Sequence, residues 1–215
     1  MDTLVRFFQE GGAFMYPIAL VLALGLAITL ERFLYLGSVR RRNRMVFEKG
    51  ILPALQKRDY RQAMKAASAS DSAIAAIMSA GLGRLLSNAR RDEIEYAMEE
   101  GLMEVLPRLE KRTQYLATLA NIATLLGLLG TIIGLISAFT AVAAADPSQK
   151  ATLLSGSISV AMNTTAFGLM SAIPLLAFHA LLQTRTNELV DSFEMAGVKL
   201  LNLVSEPQAA ARAAA

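Results

Sequence analysis

The sequence predicts an all-α membrane protein: three transmembrane helices, with helices two and three extending into a cytoplasmic helical bundle. Of its 215 residues 54% are hydrophobic and the mean hydropathy is +0.42, whereas a soluble domain holds about 45–50% apolar residues. The charges are segregated. Gly11–Leu30, Thr113–Ala145 and Ala151–Thr184 contain no Asp, Glu, Lys or Arg, and each meets the roughly 20 residues that a bilayer crossing requires. Finally, 15 of the 21 Lys and Arg residues fall between Ser38 and Arg112. That asymmetry assigns this loop to the cytoplasm by the positive-inside rule.

The elements follow in chain order. Residues 1–10 form a short external N-terminus and 11–37 the first transmembrane helix. The apolar run has no A-x-A cleavage site and passes through Glu31-Arg32 into further apolar residues, so it is read as a retained helix rather than a signal peptide. The cytoplasmic region, 38–112, is helical in pattern. Asp59 with Gln62, and Asp92 with Glu95, have the three-residue spacing of capping boxes. Between them Ile74, Ile77, Met78, Leu82 and Leu85 recur at helical steps. The second transmembrane helix, 113–145, is expected to continue the amphipathic stretch from Asp92 to Arg112 as one long helix, with Pro107 a potential kink. Residues 146–150, with Pro147 as breaker, make an external turn. The third helix occupies 151–184. In the C-terminal helix and tail, 185–215, Leu189, Phe193, Val198 and Leu201 form an apolar face, and the Ala-rich end is assigned no role.

Composition removes several functions. There is no cysteine, hence no disulfide framework and no Cys-based metal site, and no cofactor is implied. The net charge of +3 comes from residues such as Arg40, Arg41, Arg42, Arg44, Arg108, Lys111 and Arg112, which flank membrane segments and need no nucleic acid to explain them. No G-x-S-x-G occurs, and the serines near the single histidine, His179, lie on its own helix. That is no hydrolase constellation, so the protein is not read as an enzyme. His179 itself is read as an interfacial, solvated residue.

The second and third windows also lack any membrane acid, so this chain alone cannot carry a proton on a buried carboxylate. They hold small and hydroxyl residues instead. Thr124, Gly127, Thr131, Gly134 or Leu135, and Ala138 share one helical face, and Ser157, Thr164, Gly168 and Ser171 another, with Ala161, Thr165, Gly168 and Ala172 overlapping it. Gly130 and Gly134 form a GxxxG, so packing alone would explain much of this. Pro174 is expected to bend the third helix and free the carbonyl of Met170.

The segments GGAFMYPIALVLALGLAITLERFLYL (11–36), ATLLGLLGTIIGLISAF (123–139) and ISVAMNTTAFGLMSAIP (158–174) resemble the three membrane segments of the MotA/TolQ/ExbB proton-channel family. The resemblance implies a homopentamer in the bacterial inner membrane around an ExbD/TolR/MotB-like single-span partner. That partner supplies the proton-carrying Asp, and proton flow drives movement that works on the cell envelope. Thr131, in GLLGT, and Thr165, in NTTAFG, match the family's pore-facing threonines. Two positions depart from the ExbB-like pattern: Thr124 where Pro is frequent, and Val160 where many members carry Glu.

Adjacent helical residues diverge by about 100°, so Asn163, Thr164 and Thr165 cannot all face one pore. Thr165 is assigned to the ion pathway opposite Thr131, Thr164 is the second candidate, and Asn163 is left to bond a neighbouring helix or subunit. Gly127, Gly130, Gly134, Gly168 and Pro174 are read as helix-packing positions. The competing reading is a membrane scaffold that packs helices without conducting ions.

Overall fold

The computed structural model describes residues 11–213, with side chains described through residue 204. Segment 1–10 and the last two residues of the tail lie outside the described residues. Every regular element described is helical: α1 (Met15–Met45), a π-helical stretch (Val46–Ile51), α2 (Leu52–Gln56), α3 (Tyr60–Ser68), α4 (Ala73–Leu86), α5 (Arg91–Glu110), α6 (Thr113–Ala144) and α7 (Lys150–Ala213). Three stretches are long and apolar enough to cross a membrane: Met15–Gln56, Arg91–Ala144 and Lys150–Val204. The chain is a multi-pass membrane protein.

Helix boundaries follow the local chemistry, with two corrections. Asp59 caps α3 as its spacing predicts, its carboxylate accepting the Gln62 N–H at 2.9 Å. Asp92 is not a cap. Helix α5 begins at Arg91, so Asp92 and Glu93 sit in its first turn, where the helix dipole favours negative charge. The single helix expected from Asp92 onward is interrupted, though not at Pro107, which lies inside α5. Lys111 turns extended and Arg112 adopts φ 67°, ψ −17° before α6 starts. A left-handed residue costs a non-glycine about 1–2 kcal/mol. Arg112 is held there in part by its guanidinium donating to Glu31 Oε1 at 2.8 Å. Pro107 withholds only its own N–H from the ladder, and its carbonyl still accepts from Lys111. Helix α7 is continuous through Pro174.

Two compact units divide the chain: Met1–Arg32 with Arg112–Leu182, and Phe33–Lys111 with Gln183–Ala215. In the first, the buried positions of α6 are Thr113, Leu116, Ala120, Ala123, Gly127, Gly130 and Ala138, mostly three and four residues apart. This is the 3.5-residue seam of a coiled coil, built from small side chains. Helix α7 answers with Ala161, Thr164, Gly168, Ser171, Ala172 and Leu175, and α1 contributes Met15 and Ile18. Thr124, expected on this face, is exposed and bonds the Ala120 carbonyl of its own helix. The 3.5-residue repeat turns the seam through Ala123 instead.

In the second unit α2, α3, α4 and α5 bury Leu55, Ala63, Ile74, Ile77, Met78, Leu82, Ile94 and Met98, with Leu85 only half-buried. The C-terminal part of α7 buries Leu189, Phe193, Ala196 and Leu200. Val198, expected among them, is exposed, because the same three- and four-residue alternation passes through Ala196.

Candidate functional site

The site is built where α6 and α7 come closest. At Gly168 an added Cβ would lie 2.7 Å from the Ala123 carbonyl oxygen and 3.0 Å from Gly127 Cα. At Gly127 it would lie 3.3 Å from both Gly168 Cα and the Thr164 carbonyl oxygen. Backbone thus meets backbone, as small residues permit between membrane helices. Gly134 packs similarly, with its Cβ position 3.0 Å from Ala161 Cβ.

That proximity lets side chains reach the facing helix. Thr165 Oγ1 of α7 lies 3.0 Å from the Gly127 carbonyl of α6. Thr131 Oγ1 of α6 lies 3.3 Å from the Ala161 carbonyl of α7 and 3.2 Å from the Gly127 carbonyl of its own helix. The two hydroxyls also bond to one another. Both residues are half-buried. Each hydroxyl has one proton and can accept as well as donate, so two protons serve four contacts. Thr131 can donate to Thr165, which donates to Gly127. Alternatively Thr165 donates to Thr131, which donates to Ala161. The pair can reverse its polarity by rotating two O–H bonds while every heavy atom stays in place.

Thr164 is set apart from this pair. It is 2% exposed, and its hydroxyl lies 2.7 Å from the Gly11 carbonyl and 2.9 Å from the Val160 carbonyl of its own helix. Gly130 leaves room for its methyl group. Its hydroxyl therefore ties α7 to the chain just ahead of α1. Nothing in the local sequence pattern signals this contact, because its acceptor is a backbone carbonyl 153 positions away. Asn163 is half-buried, and Pro174 and His179 are likewise half-buried on α7. Ser171 is fully buried, and its hydroxyl has no hydrogen-bond partner. Among the described residues no group of three or more His, Asp or Glu side chains is placed to hold a metal ion.

In the single chain only 22–28% of an apolar 18-residue window within each span is buried. Leu125, Leu128, Ile132, Ile136 and Phe139 of α6 are exposed. Apolar surface of that extent requires lipid or further protein to cover it.

A family model described as the MotA/TolQ/ExbB proton channel family matches residues 69–195, a span that includes both threonines and the glycine seam. The chain is also similar to a protein of Methanothermobacter thermautotrophicus described as an ExbB homolog in biopolymer transport. The two are 27% identical over 194 residues, covering 90% of this chain and 67% of that protein.

Proposed function

Since the chain belongs to the MotA/TolQ/ExbB proton channel family, whose members are not enzymes, we propose that it is the channel subunit of a proton-driven envelope motor. In this reading it works with an ExbD/TolR/MotB-like single-span partner and converts proton-motive force into mechanical work. The work is outer-membrane energisation, envelope maintenance or gliding motility. The protein sits in the bacterial inner membrane, N-terminus outside and C-terminus inside, as a pentamer around the partner's helices. The uncovered apolar surface of its spans supports such self-association.

The observation that carries the proposal is the bond between Thr131 and Thr165 inside two charge-free stretches. A reversible hydroxyl pair suits a carboxylate that alternates between charged and neutral: it donates to the carboxylate form and accepts from the carboxylic acid. The chain has no acid in these stretches, so the titrating group comes from the partner.

Proton flux into vesicles holding the chain with its partner tests this. Thr131→Val and Thr165→Val should each cut flux about tenfold or more with the assembly intact, since one lost hydrogen bond to an ionised group is worth about 1.5–3 kcal/mol. Unchanged flux in both variants refutes the pathway and leaves the helix-packing scaffold. Omitting Na⁺ should leave flux intact, and strict Na⁺ dependence would overturn proton selectivity.

A further inference from the structure

We propose that the second unit carries a phosphate site shaped for the phosphodiester of an anionic lipid headgroup. The observations are independent of the ion pathway. A cleft in this unit is lined by Arg42 of α1 and Arg108 of α5. Arg40, Arg44 and Arg90 each hold a carboxylate at 3.3 Å or less. Arg42 and Arg108 enter no ion pair among the described residues. Two guanidiniums outside any ion pair in the lining of one cleft each offer the planar fork of donors that phosphate oxygens fit.

The cleft also receives the N-terminus of α4, a 14-residue helix, through Ser72 and Ala73. Helix N-termini present N–H groups and partial positive charge to an anion. Here the usual internal cap is missing. Ser72 stands at the cap position, but its side chain makes no capping bond. Asn43 from α1 accepts the Ile74 N–H instead, at 2.8 Å. Ser72 is only 4% exposed, yet its hydroxyl has no partner. A buried, unsatisfied hydroxyl beside two free cations is a donor waiting for an acceptor, because leaving it unpaired is costly.

Charge selects the kind of phosphate. Asp71 lines the same cleft, so two arginines and one aspartate leave one net positive charge. That matches the single negative charge of a phosphodiester better than the higher charge of free phosphate near neutral pH. Position selects its source. Tyr35, also in the lining, follows the last residue of the first charge-free window by five residues, and Arg42 follows it by twelve. The lining thus includes chain that follows a charge-free window closely in sequence, where basic residues are drawn to the anionic lipids of the cytoplasmic leaflet.

The test uses the purified full-length chain in neutral detergent, with short-chain phosphatidylglycerol, short-chain phosphatidylcholine and inorganic phosphate as probes, and retention read by native mass spectrometry. Phosphatidylglycerol should be retained. Arg42→Gln and Arg108→Gln should each weaken retention about tenfold, Ser72→Ala severalfold, and the exposed Arg41→Gln, which lies outside the cleft, should not weaken it. Equal loss in Arg41→Gln would reduce the effect to diffuse surface charge and overturn the site. Equal retention of phosphatidylcholine would overturn anion recognition. Phosphate binding that displaces the lipid at equal concentration would overturn the lipid as its source. Circular dichroism of each variant separates lost binding from lost folding.

Discussion

Thr131, Thr164 and Thr165 have the same side chain and three different surroundings. Thr131 and Thr165 share two protons among more acceptors than they can satisfy at once, which leaves them responsive to a third group. Thr164 has no hydroxyl partner and shares its one proton between two backbone carbonyls, Gly11 at 2.7 Å and Val160 at 2.9 Å, in a buried site. Its substitution should therefore read out as stability. Thr164→Val is expected to cost about 1–3 kcal/mol by stranding the Gly11 carbonyl, whereas Thr164→Ser keeps the bond and should cost about half as much. Thermal unfolding of the purified protein compares the two, and equal losses would mean that the methyl group, seated against Gly130, matters more than the hydroxyl. That Asn163, Thr164 and Thr165 cannot all share one helical face was legible in the sequence. Which carbonyl receives Thr164 was not, because the acceptor belongs to a turn remote in sequence and carries no side-chain signature.

Among elements, α6 and the charge-free part of α7 up to Thr184 carry exposed apolar residues around the helix, so a hydrophobic stripe cannot identify their contact face. Small residues identify it instead, at three- and four-residue steps. Gly168→Ala places a methyl 2.7 Å from a backbone oxygen that cannot yield. It should destabilise by about 1–3 kcal/mol and disturb the Thr131–Thr165 bond. Gly83→Ala in α4 meets nothing within 4 Å and should stabilise by about 0.5–1 kcal/mol through helix propensity alone. Chemical denaturation measures both, and an uncosted Gly168→Ala would show that the helices can separate freely. The cap of α4 makes a second element-scale case. Asn43→Ala removes the only side-chain acceptor that the structure gives the Ile74 N–H and should cost about 0.5–2 kcal/mol. Hydrogen exchange at Ile74 should accelerate with it, and unchanged exchange would show that another group takes over the cap.

For the whole molecule, charge distribution separates the two units. The first contains all three charge-free windows apart from the last two residues of the third, and the second holds most of the basic residues. A chain with no carboxylate in its spans should not conduct protons alone. Vesicles holding only this protein are expected to keep an imposed pH gradient at the rate of empty vesicles, and to lose it when the partner is added. Rapid decay without the partner would mean that this chain contains its own proton carrier. The surface ion pairs contribute little to holding the molecule together. Arg40 and Glu188, for instance, are 63% and 49% exposed, where such pairs are worth about 0–1 kcal/mol.

The division between sequence and structure follows the range of the forces involved. Composition, the three charge-free windows and the segregated basic residues determine an all-helical membrane protein by themselves, since partition into a bilayer is a summed local property. Residue spacing likewise places Thr131, Thr165 and the glycines around them on stripes of small and hydroxyl residues, and the family resemblance of GLLGT and NTTAFG singles out the two threonines. Tertiary structure alone decided where α5 ends, because the break at Lys111–Arg112 includes an ion pair to Glu31 rather than a local stop signal. It also decided that the contact seam follows Ala123 rather than Thr124, that Asn43 rather than Ser72 caps α4, and that two of the three threonines meet. Each of those outcomes depends on a backbone group or side chain brought from a distant part of the chain, and no pattern of neighbours records such a partner.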